Sequence, residues 1–219
     1  MKAILSWSGR KDSAWALYYV QKNSKIKVKS LLTTLTDKFD RISMHGVRRE
    51  LVERQAAQLN IPIELVYLPA DCSNEGYGSI MARKMRQFKK EGINTVIFGD
   101  IFLEDIRRYR EENLSKVGIE AQFPLWNNST EKLAIKFIDL GFRGIITCVD
   151  SKYLPKEFIG RHFNHDFLSD LPDDVDPCGE NGEFHSFVYD GPIFEHPITF
   201  ALGEIVLRDN QFYFVDLLP

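Results

Sequence analysis

The feature that most limits the fold is a regular alternation in the first 123 residues, where short apolar runs are each followed by a segment with helical spacing. A strand is expected at Lys2–Ser6, then a helix over residues 13–21 with Ala14, Trp15, Leu17 and Tyr18 on one face. A second strand follows at 28–34 and a helix at 47–59, which Asn60-Ile61-Pro62 stops because proline cannot continue it. The pattern repeats with a strand at Ile63–Leu68, a basic helix at 75–91 closed by Gly92, and a strand at 95–98 ending in Gly99-Asp100. A charged helix at 103–117 and a strand at 121–123 complete it. Such a chain predicts an α/β fold, a parallel sheet covered on both faces. Right-handed crossovers then bring all strand C-termini to one edge, the edge where open α/β sheets bind ligands.

Past residue 123 the rhythm changes. A helix at 129–140 and a strand at 144–149 still fit the alternation, but an irregular, acidic, Pro/Gly-rich stretch follows at 153–182. Strand-like runs at 184–189, 198–207 and 211–217 close the chain, the last two joined by Asp209-Asn210, a hairpin turn signal. The expected division is a parallel α/β domain at 1–123 and a smaller mixed α+β domain at 124–219.

Charge follows the same division. Residues 1–120 hold 21 Lys+Arg against 15 Asp+Glu, and residues 121–219 hold 7 against 16. Either the surface charge is merely uneven, or the front half meets anions and the back half meets a metal or an amine. The sequence has no apolar run of the ~18–20 residues a membrane span needs, and its N-terminus lacks the pattern of a signal peptide. Three cysteines, Cys72, Cys148 and Cys178, are odd in number and form no CxxC pair, which points to a reducing, cytoplasmic setting. Their spacing matches no common zinc site, so buried small hydrophobes are the expected reading.

The segment richest in chemistry is Ser6-Trp7-Ser8-Gly9-Arg10-Lys11-Asp12-Ser13, between the first strand and the first helix. A helix start offers unpaired N–H groups and the positive end of the helix dipole. Ser8 and Ser13 add hydroxyls, Gly9 allows close backbone approach, and Arg10 and Lys11 add charge. Together they make an anion cradle suited to a di- or triphosphate. The plainer alternative is a strand–turn–helix with a solvated lysine and capping Ser and Asp. The loop is neither a Walker P-loop nor the dinucleotide-binding GxGxxG.

Residues Ser8-Gly9-Arg10-Lys11-Asp12-Ser13 resemble the SGGKDS loop of the PP-loop ATP pyrophosphatases, which cleave ATP between the α and β phosphates. In the back half, Gly179-Glu180-Asn181-Gly182-Glu183-Phe184-His185-Ser186 is similar to the GENGEFHT signature of the diphthine–ammonia ligase-like branch. The resemblance continues through Phe98-Gly99-Asp100-Ile101, Phe123-Pro124-Leu125-Trp126, Leu140-Gly141-Phe142 and Tyr189-Asp190-Gly191-Pro192. One departure is Arg10, where the family has its second loop glycine. Arginine is costly there if the position needs positive φ, and a further phosphate contact if it does not.

The resemblance implies an adenine nucleotide alpha hydrolase-like (HUP-like) front domain that binds ATP at its strand ends. It assigns Ser8, Gly9, Arg10, Lys11 and Ser13 to the phosphates and Ser6 to the ATP site, while Asp12 either holds Mg²⁺ or caps the helix. Thr33, Thr34, Gly99 and Asp100 would meet ribose or adenine, with ordinary strand-end turn chemistry as the rival, and His45 would face the site or cap the next helix. From the back half, Glu180, Glu183 and His185, with Lys11, form the expected catalytic set. Asn181 and Gly182 would meet the substrate, and Arg107, in a basic cluster, would guide an acidic one or form a solvated helix face. The implied activity is an ATP-dependent, AMP- and pyrophosphate-forming ligase that adenylates a carboxylate and passes it to ammonia or an amine. The family name points to diphthine as the carboxylate-bearing acceptor, although ATP-binding motifs do not specify one. Two rivals are a nucleotide sensor without turnover and a tRNA-modifying enzyme. Net acidity with no basic arm makes nucleic acid the weaker partner, and a homodimer is left open.

Overall fold

The computed structural model describes residues 1–23, 25–42 and 46–219, organised by two sheets. The first contains β1 (Lys2–Ser6), β2 (Lys27–Thr36), β3 (Arg41–Ile42), β4 (Ile63–Leu68), β5 (Thr95–Ile97) and β6 (Glu120–Gln122). Five of these run parallel in the order β4-β2-β1-β5-β6, while the two-residue β3 pairs antiparallel with the end of β2. Helices α1 (Lys11–Asn23), α2 (Arg49–Gln58), α3 (Asn74–Lys90) and α4 (Glu104–Ser115) connect them.

The strands are short and apolar because both faces are covered. In β1, Ala3 and Leu5 pack with Ala14, Leu17, Leu51 and Val52 from α1 and α2. Ile4, pointing the other way, packs with Met85, Phe88 and Leu114 from α3 and α4. The chain first advances from β1 to β2 to β4, then crosses back to add β5 and β6 beyond β1. The order therefore reverses between β1 and β5, and a cleft opens at that point of the C-terminal edge.

Local signals fix the helix ends. Ser73 caps α3 by accepting from Gly76 N at 3.1 Å, and Gly92, at φ 78°, follows its last turn. α2 gives way to Asn60 at φ 53° before Pro62. Ser129 caps α5 (Thr130–Asp139) through Lys132 N at 3.4 Å, and Gly141, at φ 85°, ends it.

The second sheet is antiparallel and built from β7 (Arg143–Asp150), β8 (Phe184–Asp190), β9 (Ala201–Arg208) and β10 (Phe212–Leu218) in the order β8-β7-β10-β9. The strand expected at 144–149 lies in this second sheet, paired with β8 and β10. The stretch expected to be irregular contains α6 (His165–Ser169), whose Phe167 packs among Phe158, Phe163 and Phe184. Asp209 and Asn210, at φ 52° and 51°, turn the final hairpin.

One core crosses from sheet to sheet. Trp15 of α1 lies 6.4 Å from Phe142, which stacks on Phe137 of α5 at 4.4 Å. Phe187 and Val188 of β8 belong to the same cluster as Trp7, Ala14 and Leu17. Asp216 on β10 accepts from Arg41 at 2.8 Å and from Arg48 at 2.6 and 3.1 Å, a second link between the sheets. Among the described residues, no helix is long and apolar enough to cross a membrane.

Candidate active site

The loop leaving β1 turns at Gly9, whose φ is +73° and where an added Cβ would sit 2.8 Å from Gln55 Oε1. Arg10 is not in the positive-φ region, so arginine stands there without backbone strain. Ser13 Oγ donates to Arg10 O at 2.9 Å, Ser8 Oγ donates to Ser13 Oγ at 3.2 Å, and Arg10 Nε donates to Ser8 Oγ at 3.4 Å. These bonds curl the loop over the first turn of α1. Thr33 serves the same scaffold, its buried hydroxyl donating to Trp7 O at 2.7 Å.

Gln55 fastens this loop from α2. Fully buried, it accepts from Trp7 Nε1 at 2.9 Å and donates from Nε2 to Gly9 O at 3.0 Å and Val188 O at 2.6 Å. On the other side runs β8, the strand that begins within the second motif, at Phe184. Val188 N donates to Gly9 O at 2.9 Å, and Lys11 N donates to Ser186 Oγ at 3.4 Å. Arg10 Nη1 lies 2.7 Å from His185 Nδ1. Burial, reinforced by Arg10 and Lys11, holds the imidazole well below its usual range, so it is neutral and Nδ1 accepts from the guanidinium.

The segment before β8 folds on itself. Glu183, 1% exposed, accepts through Oε1 from Asp176 N and from Asn181 Nδ2, both at 3.0 Å. Glu180 N donates to Asp176 Oδ2 at 2.9 Å. Gly179 takes φ +63°, and a Cβ there would meet Phe184 O at 2.8 Å. Glu183 is therefore a brace inside the turn, whereas Glu180 reaches the cleft and accepts from Ile101 N at 2.7 Å. Burial and Asp12 raise the Glu180 carboxyl to about 7, and Asp100 adds to the effect.

The cleft has a volume of about 1120 Å³. Its lining includes Ser6, Ser8, Arg10, Asp12 and Ser13 from the loop, Thr34 from β2, Gly99 and Asp100 after β5, and Glu180. Lys11 is buried beneath it, with its Nζ on Asp12 Oδ1. Burial works against the ammonium, but Asp12 together with Cys178 and Glu180 outweighs it and raises the Lys11 pKa. Asp100, raised by burial against the opposing pull of Arg110, leaves its Oδ2 enclosed without a partner. Gly99 is required by packing, since a Cβ would sit 2.7 Å from the carbonyl carbon and oxygen of Asp12.

The donor chemistry fits a magnesium ion. Among the described residues, no group of three or more His, Cys, Asp or Glu side chains is gathered as a metal-holding set. Mg²⁺ commonly uses only one or two carboxylates, however, with phosphates and water completing its shell. Asp12 and Asp100 both face the cleft, and the uncommitted Asp100 Oδ2 suits that arrangement.

Comparison with protein families matches residues 1–121 to the diphthamide synthase N-terminal domain and residues 129–215 to the diphthamide synthase C-terminal domain. The chain belongs to the diphthamide synthase family. It is 30% identical over 124 residues to the diphthine–ammonia ligase of Bos taurus, covering 54% of this chain and 46% of that one. With the Homo sapiens diphthine–ammonia ligase it is 29% identical over 126 residues, covering 55% and 47%. The match to the Schizosaccharomyces pombe diphthine–ammonia ligase, 28% over 114 residues, covers 48% of this chain and 18% of that one. The chain thus spans about half the length of the mammalian relatives and less of the yeast one. Among solved structures, one described as a predicted subunit of tRNA methyltransferase from Methanocaldococcus jannaschii superposes with TM-score 0.44 at 14% identity, covering 90% of this chain and 100% of that one.

Several residues singled out in this diphthamide synthase family chain lie away from the cleft lining. Asn181, Gly182 and Glu183 shape the turn, and His185 holds Arg10. Arg107 stacks on Trp126 at 4.6 Å and Phe123 at 5.3 Å, while Arg110, three residues on, lines the cleft. His45 lies outside the described residues. Cys148 and Cys178 are buried, and burial pushes both thiols to about 12, in keeping with small apolar fillers. Gln55 escaped sequence reading, although a glutamine among Leu51, Val52 and Ala56 on the buried face of α2 was the available signal.

Proposed function

We propose that this protein is an ATP-dependent ligase that adenylates a carboxylate, releases pyrophosphate, and transfers the acyl group to ammonia or an amine. The observation that carries the reading is the junction of the two motifs. β8 hydrogen-bonds along the phosphate loop, so Glu180 and the helix-start N–H groups share the edge of one cleft. The proposed division is a nucleotide-binding part at 1–123 and a part at 124–219 that closes the site.

In this reading the β and γ phosphates lie against Ser8, Arg10 and Ser13, on the loop that turns at Gly9, with Lys11 buried below. Those groups stabilise charge on the departing pyrophosphate and need no rearrangement as it develops. Ribose and adenine lie toward Thr34 and the β2 edge. Magnesium, when bound, would be held by Asp12 and Asp100 and would neutralise charge on the polyphosphate. A carboxylate oxygen attacks the α-phosphorus as the α–β bridging bond breaks. Nitrogen then attacks the acyl carbon and AMP leaves. Glu180, with its carboxyl near 7, takes the proton that the nitrogen gives up. Diphthine and ammonia, named in the relatives, are the proposed acceptor and donor.

Product analysis tests this. With ATP and acceptor, AMP and pyrophosphate should form in equal amounts, and Lys11→Ala should lower turnover at least about 100-fold while keeping a cooperative thermal transition. Formation of ADP, or no loss in the variant, would overturn the assignment.

A further inference from the structure

The antiparallel sheet has two edges, β8 and β9, and only one of them is covered. At the β8 edge, Val188 N donates to Gly9 O at 2.9 Å and Ser186 Oγ accepts from Lys11 N at 3.4 Å, so the phosphate loop lies along it. At the other edge, β9 pairs with β10 alone, and among the described residues no strand lies along its outer side. Free N–H and C=O groups on such an edge invite another strand, and natural edges are commonly blunted by lysine, proline or extreme shortness. β9 has eight residues with neither proline nor lysine. Its register against β10 shifts between Leu202 and Ile205, leaving 205–208 in regular pairing.

The side chains of β9 divide cleanly. Leu202, Ile205 and Leu207 lie opposite Leu217, Val215 and Tyr213, on the face that enters the core. They carry that core to the rim and stay uncovered there, Leu202 being 53% exposed and Leu207 47%. The other face carries Glu204 and Arg208, opposite in sign. Arg208 lies over the Phe214 ring at 5.4 Å, and Glu204 makes no ion pair among the described residues.

This pattern is complementary to itself. When two copies of a strand pair antiparallel about an axis perpendicular to their sheet, facing residues share a face, so the axis passes through one residue. With the axis at Ile205, Glu204 faces Val206; with the axis at Leu207, it faces Asn210. With the axis at Val206, each Glu204 faces Arg208 of the second copy and each Ile205 faces its Leu207. Opposite charges and apolar pairs that face each other across strands are both favourable.

We propose that β9 is the contact edge of a two-fold symmetric dimer of this chain, paired antiparallel to itself with Val206 on the axis. Each antiparallel sheet then continues into that of the second copy. Because the phosphate loop covers the remaining edge, association closes at two copies instead of growing into a fibre. The contact is small for a permanent dimer, so it forms and dissociates with concentration. No residue of β9 lines the cleft, and both clefts stay open.

Sedimentation velocity of the full chain between about 5 and 300 µM tests this, with half-association expected at about 100 µM or below. Glu204→Arg and Arg208→Glu each set like charges opposite one another twice and should weaken association about tenfold or more. Mixing these two variants restores opposite charges at both positions, so the mixture should associate like the parent. The axis is read by Val206→Cys, whose two Cα atoms would lie about 4.5–5.5 Å apart, within reach of a disulfide. Oxidation with copper–phenanthroline should then give a covalent dimer that Val206→Ser does not form. A parent that stays monomeric, reversals that associate like the parent, a mixture as weak as its components, or assemblies growing beyond two copies would overturn the proposal. If a reversal loses its cooperative thermal transition, the cross-link decides alone, and its absence overturns the proposal.

Discussion

The backbone N–H of Val188 donates to the carbonyl of Gly9 at 2.9 Å, joining the first residue of the phosphate turn with positive φ to a strand of the other sheet. The two motifs begin 171 residues apart in sequence, at Ser8 and Gly179, yet this bond and its neighbours make them one wall. Gly9 O also accepts from Gln55 Nε2 at 3.0 Å, so the turn is held from both sides.

Removing that second hold should be costly. Gln55→Leu leaves the Trp7 indole N–H and the Val188 carbonyl without their buried partners. The expected loss is about 2–4 kcal/mol of stability, read by urea denaturation, with a raised KM for ATP. An unchanged midpoint would show that the buried amide is dispensable.

Glu180 should impose a pH dependence. As a proton acceptor it works when ionised, so activity should rise with pH through about 7, and Glu180→Gln should abolish turnover while keeping nucleotide binding. Stability moves the opposite way. A carboxyl whose folded pKa is raised binds its proton more tightly in the folded state, so its contribution falls as pH rises from the ordinary 4.5 through about 7. Glu180→Gln should therefore be more stable than the parent at pH 8 and equal to it near pH 4. Thermal melts at the two values check the sign.

Gly99→Ala should disturb chemistry more than folding. The added methyl would sit 2.7 Å from the Asp12 backbone, so the end of β5 and the start of α1 must part by a few tenths of an ångström or more. A displacement that reaches about 1 Å at the reacting groups can cost about 100-fold in rate, so turnover should fall by about tenfold to 100-fold. A variant with parental turnover would mean that the two elements can separate freely.

Asp216 should govern acid stability. Its pairs with Arg48 and Arg41 hold the carboxylate well below its usual range, so the stabilisation is present in full above the ordinary value of 3.8 and is lost as pH falls below it. Asp216→Asn should be destabilised by about 1–3 kcal/mol at pH 7, and the gap should close toward pH 2. A gap that does not change with pH would assign the effect to packing alone.

The parallel sheet was legible because its strands had to be apolar on both faces, and residues such as Leu5 and Ile4 carry that requirement openly. The fate of residues 143–150 was not. A fully buried strand reads the same whichever sheet it joins, and its antiparallel partners β8 and β10 lie 34 or more residues onward. Both chemical motifs were visible, but side-chain direction was not. Glu180 and Glu183 differ by three residues in a turn rather than a helix, and only backbone geometry decides that one enters the cleft and the other braces the turn. Arg107 and Arg110 differ by nearly one helical turn, and the aromatic residues each one covers, Trp126 or Phe98, settle which of them lines the cleft.

The division of the interior into two cores sets where the protein can breathe. The phosphate turn, α1, α2 and most of the second sheet share one continuous cluster, whereas α3 and α4 close over the opposite face through a smaller, separate one. Thermal fluctuation that widens the cleft will therefore fall on the α3–α4 flank, leaving the anion-gripping wall still. Entry and exit of molecules become a matter of one pliable bank moving against a fixed one, and the rate of exchange can be tuned at that bank without touching the groups that do the chemistry.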